Sequence, residues 1–390
     1  MRRLGLALRK AFIRKCTNRQ ERKSIKAMDV EFKAIFIEII LISTIIFSLQ
    51  SFITVESIEG YSSILDNIST QRIVDNTKRL VDFKTRYIFT PECNASAAFL
   101  HDYFSRLGEY DVHFDYFRVT RRASENFTAM NVVASKKGVA HENETIIVCA
   151  HYDSISEFDP VASAPGANDN AAGVAVVMEV AYVLGVFSLN RTVIFIAFSS
   201  EELSLQGSMN WVTNNTEILK STIGIICLDG VARGKTIAVM FTLEASDSLA
   251  RYVVNTARKL GYENFYERQV GAVGSDSDSF EMKGVRAVRF WDWDTTFIHT
   301  PDDTLETLDV NCIKQVADVA CIATYRLATE PLDGVLTSIG RGASEGFLIL
   351  VGAVVASVIV VISLLLIRNR RVLKQRLQSL IVFFILWLIG

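Results

Sequence analysis

An α/β fold, with a mixed, mostly parallel central sheet and helices on both faces, is predicted by two features of this 390-residue chain. Short apolar, β-rich runs recur at residues 146–150, 193–198 and 222–228, and helical patterns lie between them. Each run is apolar at nearly every position, as strands covered on both faces are, and polar or acidic residues follow each one directly.

Taken in order, helical periodicity begins near Ser69 and carries through RIVDNTKRLVDF, and a second helix covers 95–107. Alternation predicts strands at 112–119 and 130–134, and a turn at Lys136, Lys137 and Gly138 separates the latter from 146–150. A helix over 171–187 follows, opened by Asn168, Asp169 and Asn170, whose side chains suit an N-cap. Next come strand 192–198, a helical stretch at 204–211, strands 222–228 and 236–241, and helix 246–260. A short strand at 287–290 and an amphipathic helix at 309–327 close the domain, and no internal repeat interrupts it.

The formal net charge of −2 conceals an asymmetry, since the chain up to Lys33 carries eleven Lys/Arg and three Asp/Glu. Nucleic acid, an anionic membrane surface or membrane topology could each explain such a basic terminus, and the following residues decide. Residues 34–53 are about one bilayer thickness of apolar sequence, broken only by Glu38. Residues 347–367 are a second, uncharged span leading into the basic RNRRVLKQR. The positive-inside rule places both basic flanks in the cytoplasm and the residues between the spans on the other side, at the cell surface or in the endoplasmic-reticulum lumen. The lipid bilayer is therefore an expected partner and nucleic acid is not.

The expected domain plan is a basic tail at 1–33, a span at 34–53, a linker at 54–68, the α/β domain at 69–330 and a linker at 331–346. The second span at 347–367, a basic segment at 368–376 and an apolar segment at 377–390 complete it. That last segment fits an incomplete third span, an interfacial piece or a re-entrant one. Six N-x-S/T sequons, at Asn67, Asn94, Asn126, Asn143, Asn190 and Asn214, all lie between the spans, as on a glycosylated outer face. The cysteines show no metal or disulfide spacing, and Cys149 and Cys227 fall inside apolar strands as core residues.

The chemistry collects at strand ends. In an open parallel sheet, ligands gather outside the carboxyl ends of the strands. His151 and Asp153 follow 146–150, Glu201 and Glu202 follow 193–198, and Asp229 ends IGIICLD. Asp169 opens a helix, and His299 lies in FIHTPDDT after the short strand at 287–290. His101, His113 and His141 sit in a polar helix, an alternating strand and a loop, and are expected at the solvated edge. Two adjacent glutamates in a crevice repel each other unless a cation is present. Mixed imidazole and carboxylate donors suit zinc, and cobalt or manganese as well.

The ordered blocks HYDS, GANDNAAG, AFSSEELSLQGS, CLD, SDSDSF and HTPDDT resemble those of the co-catalytic zinc aminopeptidases and glutamate carboxypeptidases of peptidase family M28, over about residues 70–330. The resemblance implies a zinc exopeptidase-like fold and two zinc ions per chain. It puts His151 and Asp229 on one zinc, Glu202 and His299 on the other, and Asp169 across both. It makes Glu201 the general base and gives Asp153 the task of orienting the His151 imidazole. A peptide substrate, exopeptidase action and a preference for the amino terminus follow from the same likeness. The layout also looks like that of endoplasmic-reticulum metallopeptidases of this family. Three positions depart from the pattern: Ile298 stands where a Tyr is common, Ser277 where His is frequent, and Cys227 where Asn is common. Ser275, Asp276, Trp291 and Trp293 are expected to line the substrate cleft.

Two other functions compete. One is a single-zinc aminoacyl cyclotransferase of the glutaminyl cyclase type, whose similar scaffold keeps the Asp, the Glu and the late His as ligands. The other is a non-catalytic ectodomain used for binding. A transporter is disfavoured by two clear spans without repeated halves.

Overall fold

The computed structural model describes residues 60–120, 126–272 and 274–331. The segments expected to span the membrane, at 34–53 and 347–367, and the apolar segment 377–390 lie outside the described residues. Among the described residues no helix is long and apolar enough to cross a membrane.

After a one-turn helix at Ser62–Leu65, within the expected linker, the described chain runs through helices α1 (Thr70–Val81) and α2 (Pro91–Arg106), followed by strands β1 (Asp111–Thr120), β2 (Asn126–Lys136) and β3 (His141–His151). Helix α2 starts earlier than its apolar pattern because the Thr90 side chain caps it and Pro91 occupies its first turn. Next come α3 (Ala172–Gly185), β4 (Arg191–Phe198), α4 (Gln206–Asn214), β5 (Thr222–Leu228), β6 (Ile237–Phe241) and α5 (Asp247–Lys259). The chain closes with β7 (Phe265–Gln269), α6 (Asp276–Glu281), β8 (Ala287–Trp291) and α7 (Val310–Thr329). Two of these carry no legible pattern: β7 is polar and exposed along most of its length, and α6 is too short for helical periodicity.

The eight strands form one sheet in the order β1-β2-β4-β3-β5-β8-β6-β7. Its centre, β4, β3, β5 and β8, is a continuous parallel block. Antiparallel β2 and β1 extend one side; β6 runs antiparallel to β8 on the other, with β7 parallel to it. Four of the seven pairings are therefore parallel, which makes the sheet mixed, as expected. Strands β1 and β2 end and begin too close in sequence for a crossover, so they pair antiparallel.

Side chains of the central block alternate between two cores. Val148, Phe195 and Ile226 face the larger one, built with α1, α2, α3, α5 and α7. Ile147, Cys149, Ile196, Phe198 and Cys227 face a smaller one, closed by Trp211 of α4 and Phe280 of α6. The five cysteines within the described residues are buried free thiols.

Helix α3 lies almost wholly inside the larger core, and its one charged residue, Glu179, is fully buried. That carboxylate accepts hydrogen bonds from the Ser69 backbone N–H and from Nε and Nη2 of Arg72, each at 2.6 Å. The burial is stable because α1 supplies these donors. Glu179→Ala should therefore lower stability by about 2–3 kcal/mol, seen as an earlier urea midpoint at unchanged m-value.

Candidate metal centre

The parallel block explains why distant residues meet. Adjacent strands lie about 4.8 Å apart, so groups placed just past the ends of β4, β3 and β5 fall within roughly 10 Å of one another. His151 is the last paired residue of β3, opposite Phe198 of β4. Past β4 the chain turns sharply through Ser200, whose φ of +60° is left-handed, and delivers Glu201 and Glu202. Asp229 follows β5 directly, and His299 lies in the loop after β8.

Asp169 arrives differently from the expected N-cap. Helix α3 starts at Ala172, and no side chain caps it. Residues Ala167–Ala171 form an irregular turn, in which Asp169 and Asn170 have non-helical angles. Asn170 instead donates from Nδ2 to the Leu228 carbonyl at 2.8 Å, tying this turn to the end of β5. A Cβ on Gly173 would come within 2.8 Å of that same carbonyl, so only glycine allows so close an approach.

Two groups of three donors result, and they share Asp169. Nε2 of His151 lies 3.1 Å from Asp169 Oδ1 and 3.4 Å from Asp229 Oδ1. Nε2 of His299 lies 3.2 Å from Asp169 Oδ2 and 3.1 Å from Glu202 Oε2. Within each group the donor atoms lie within 4.8 Å of one another, close enough to hold a metal ion. Glu201 belongs to neither group but shares a third with His151 and Glu202.

The electrostatics are those of a site short of positive charge. Burial pushes the Glu201 carboxyl well above its usual range, and Asp229 and Glu202 add to the shift. Burial and Asp169 raise Glu202 to about 7. Hydrogen bonds to Asp169 and Glu202 push His299 up to about 10. Burial works against protonation of His151, yet Glu201 and the surrounding aspartates hold its pKa well above normal. Protonated imidazoles therefore stand where cations are wanted. Oε1 of Glu202 is also buried with no hydrogen-bond partner among the described residues. Convergent carboxylates, imidazoles and an orphaned acceptor fit a metal centre of nitrogen and oxygen donors.

Several supporting residues were not evident in the sequence, or act differently from expectation. Asp153 turns its carboxylate mainly toward the glutamates, accepting from the backbone N–H of Glu201 at 3.1 Å and of Glu202 at 3.3 Å. His151 Nδ1 meets the Asp153 main-chain carbonyl at 3.2 Å, while the carboxylate stands off at 3.7 Å. Asp303 accepts from the N–H groups of Asn168 and Asp169 and so fixes the Asp169 turn. Arg86, fully buried, donates to the carbonyls of Tyr152, Pro165 and Gly166, clamping the loop between His151 and Asp169 from behind. The second aspartate of HTPDD was the one available signal for Asp303. A lone Arg in KTRY carried none.

The expected cleft residues need correction. Ser275 and Asp276 are completely buried, so they present no surface to a substrate. Asp292 is buried in a turn, accepting from the N–H groups of Arg233 and Asp294. Trp293, 42% exposed, bonds Tyr266 of β7 and lies beside Arg268, so it belongs to that outer edge of the sheet. Trp291 stacks on Arg289.

The profile of peptidase family M28 matches residues 131–324. This stretch is a peptidase family M28 domain. It contains every candidate ligand, whereas Arg86, α1 and α2 precede it. Aminopeptidase YwaD of Bacillus subtilis is 31% identical over 217 residues, covering 52% of this chain and 46% of that protein. The chain thus spans about half the length of the curated relatives it matches first. An aminopeptidase from Aneurinibacillus sp. strain AM-1 shares the fold, with a TM-score of 0.59, 18% identity and coverage of 68% of this chain and 96% of that one. Glutaminyl cyclase from Porphyromonas gingivalis shares it equally, with a TM-score of 0.58, 21% identity and coverage of 66% and 98%.

Within the M28 domain, Asp276 offers a test of the local electrostatics. Neither carboxylate oxygen has a hydrogen-bond partner among the described residues, and burial raises its pKa from 3.8 to about 7. The folded state therefore holds this proton more tightly than the unfolded chain. The corresponding stability is fully present below about pH 4 and lost as pH rises toward 7. In metal-free protein, Asp276→Asn should flatten that loss and gain on the order of 3 kcal/mol at pH 8. Urea denaturation across this range measures it.

Proposed function

We propose that this chain is a membrane-anchored zinc metallopeptidase that releases amino-terminal residues from peptides, using two zinc ions. The observation that carries the proposal is the pair of donor groups meeting at Asp169, with Glu201 beside them. His151 and Asp229 would hold one ion, Glu202 and His299 the other, and Asp169 would serve both with its two oxygens. When bound, the ions supply Lewis acidity, acidifying water and polarising the substrate carbonyl.

The protein's own part centres on Glu201. Its backbone N–H is fixed by Asp153, so the carboxylate is held at the edge of the donor cluster. Burial raises the Glu201 pKa, so its ionised form is a stronger base toward the attacking water. Glu201 then delivers that proton to the leaving amine nitrogen. With Ile298 ahead of His299, no phenol assists from that position.

Membrane attachment rests on the apolar segments 34–53 and 347–367 and their basic flanks, with the M28 domain between them on the non-cytoplasmic side. Exposed sequon asparagines at Asn67, Asn94, Asn143 and Asn214 are compatible with glycosylation there. Asn190 is a poorer acceptor, because it is half-buried and its amide reaches across to the Thr329 carbonyl at 2.7 Å. A single-zinc cyclase reading draws support from the equal likeness to glutaminyl cyclase. The complete cluster of metal donors disfavours a purely binding role.

Incubating the purified protein with a mixed peptide library, with and without chelator, and reading products by mass reports reaction, direction and metal need together. Loss of single amino-terminal residues, abolished by chelator and restored by zinc, is the expected result. Cyclisation of amino-terminal glutamine with one zinc per chain would replace the proposal with the cyclase reading. Glu201→Gln should retain zinc while lowering kcat by about 10²–10⁴. Glu202→Gln should lose metal instead, as read by elemental analysis.

A further inference from the structure

Arg289 lies inside the centre without belonging to either donor group. It pairs in register with Cys227 of β5, so its side chain rises beside that strand toward Asp229, two residues further on. Its Nε lies 3.3 Å from Asp229 Oδ2, the oxygen turned away from His151. The guanidinium carbon sits 3.9 Å from the centroid of the Trp291 ring. That ring in turn lies against Gly230, where a Cβ would come within 2.4 Å of it. Gly230, Trp291, Arg289 and Asp229 therefore pack against one another, and the buried Arg289 and Asp229 form an ion pair without hydrogen-bond geometry at Nε.

The guanidinium offsets the charge of Asp229 but also repels any cation bound nearby, so what it offers a bound metal ion is geometric. A carboxylate free to rotate can offer a metal one oxygen or two. The second mode fills a coordination position that a catalytic site keeps open for water or substrate. We propose that Arg289 is a positioning residue that engages Oδ2 of Asp229, so that only Oδ1 is offered to a metal ion beside His151. The assignment presupposes the metal reading proposed above. It adds that the coordination number at this position is set by a cation on the neighbouring strand, within a contact that Trp291 holds rigid.

The test uses the full-length chain loaded with cobalt(II), whose visible absorption weakens as coordination number rises. In Arg289→Met, Asp229 is released to bind through both oxygens. The cobalt absorption should weaken at unchanged stoichiometry, and kcat should fall about 10–100-fold with little change in KM. Arg289→Lys, which keeps the charge but lacks Nε and the planar stack, should move the spectrum in the same direction; it carries the test if the methionine variant fails to fold. Wild-type spectra in both variants would overturn the assignment. So would a fall in kcat that tracks a lower melting temperature of the metal-free protein without a spectral change. A wild-type chain that binds no cobalt overturns the metal reading and this assignment together, whereas wild-type binding with unaltered variant spectra overturns this assignment alone.

Discussion

Repulsion among buried carboxylates is the constraint around which this domain is arranged. Asp153, Asp169, Glu201, Glu202 and Asp229 all lie within or against the donor cluster at the carboxyl ends of the central strands, and little of that cluster reaches water. At low dielectric, like charges so close are strongly unfavourable. The molecule meets this in three ways: it shares protons with the two imidazoles, turns backbone N–H groups toward the acids, and places Arg289 against Asp229. None removes the excess of negative charge, and a bound cation would.

Holding such a cluster together requires a frame that does not yield. The parallel block supplies it for His151, the glutamates and Asp229, whose backbones continue directly from paired strands. Asp169 lacks this support, because it lies far along the crossover between β3 and α3. That crossover is secured by other means. Arg86 binds the carbonyls of residues on both sides of it, Ser154 bonds Arg86 and Ala164, and Asp303 takes the N–H groups at its end. Arg86 spends its hydrogen bonds on main-chain carbonyls, while Asp303, Asp153 and Asp169 are near enough to act on its charge. Such an arrangement fixes donors before any ligand binds, which is what a preorganised centre needs.

Much of the framework and the donor set could be read from the chain alone. Apolar runs of five to seven residues marked the buried strands, and acids or a histidine directly after them marked the edge where they would gather. His299 stood apart from His101, His113 and His141 because of the acidic, proline-containing loop around it. The errors share a cause. Asn168 and Asp169 looked like caps because capping and tight irregular turns favour the same short polar side chains. Ser275 and Asp276 looked like cleft residues because polarity usually means exposure, yet both are completely buried. Asp153 lay close enough in sequence to serve His151, and it does so through its main-chain carbonyl while its carboxylate also takes the N–H groups of the glutamates.

The order of most strands and helices, with β7 and α6 the exceptions, and the edge of the sheet to which the candidate donors come were determined by the sequence itself, through local periodicity and the rule that parallel strands end together. The grouping of the donors was implied beforehand by the likeness to the M28 peptidases; tertiary structure alone decided the distances at which they meet, and that Arg86, Asp303 and Arg289 stand behind them. The reason is physical. Periodicity reports which face of an element is buried, but contacts between residues a hundred or more positions apart depend on register, backbone turns and charge balance, which no local pattern encodes.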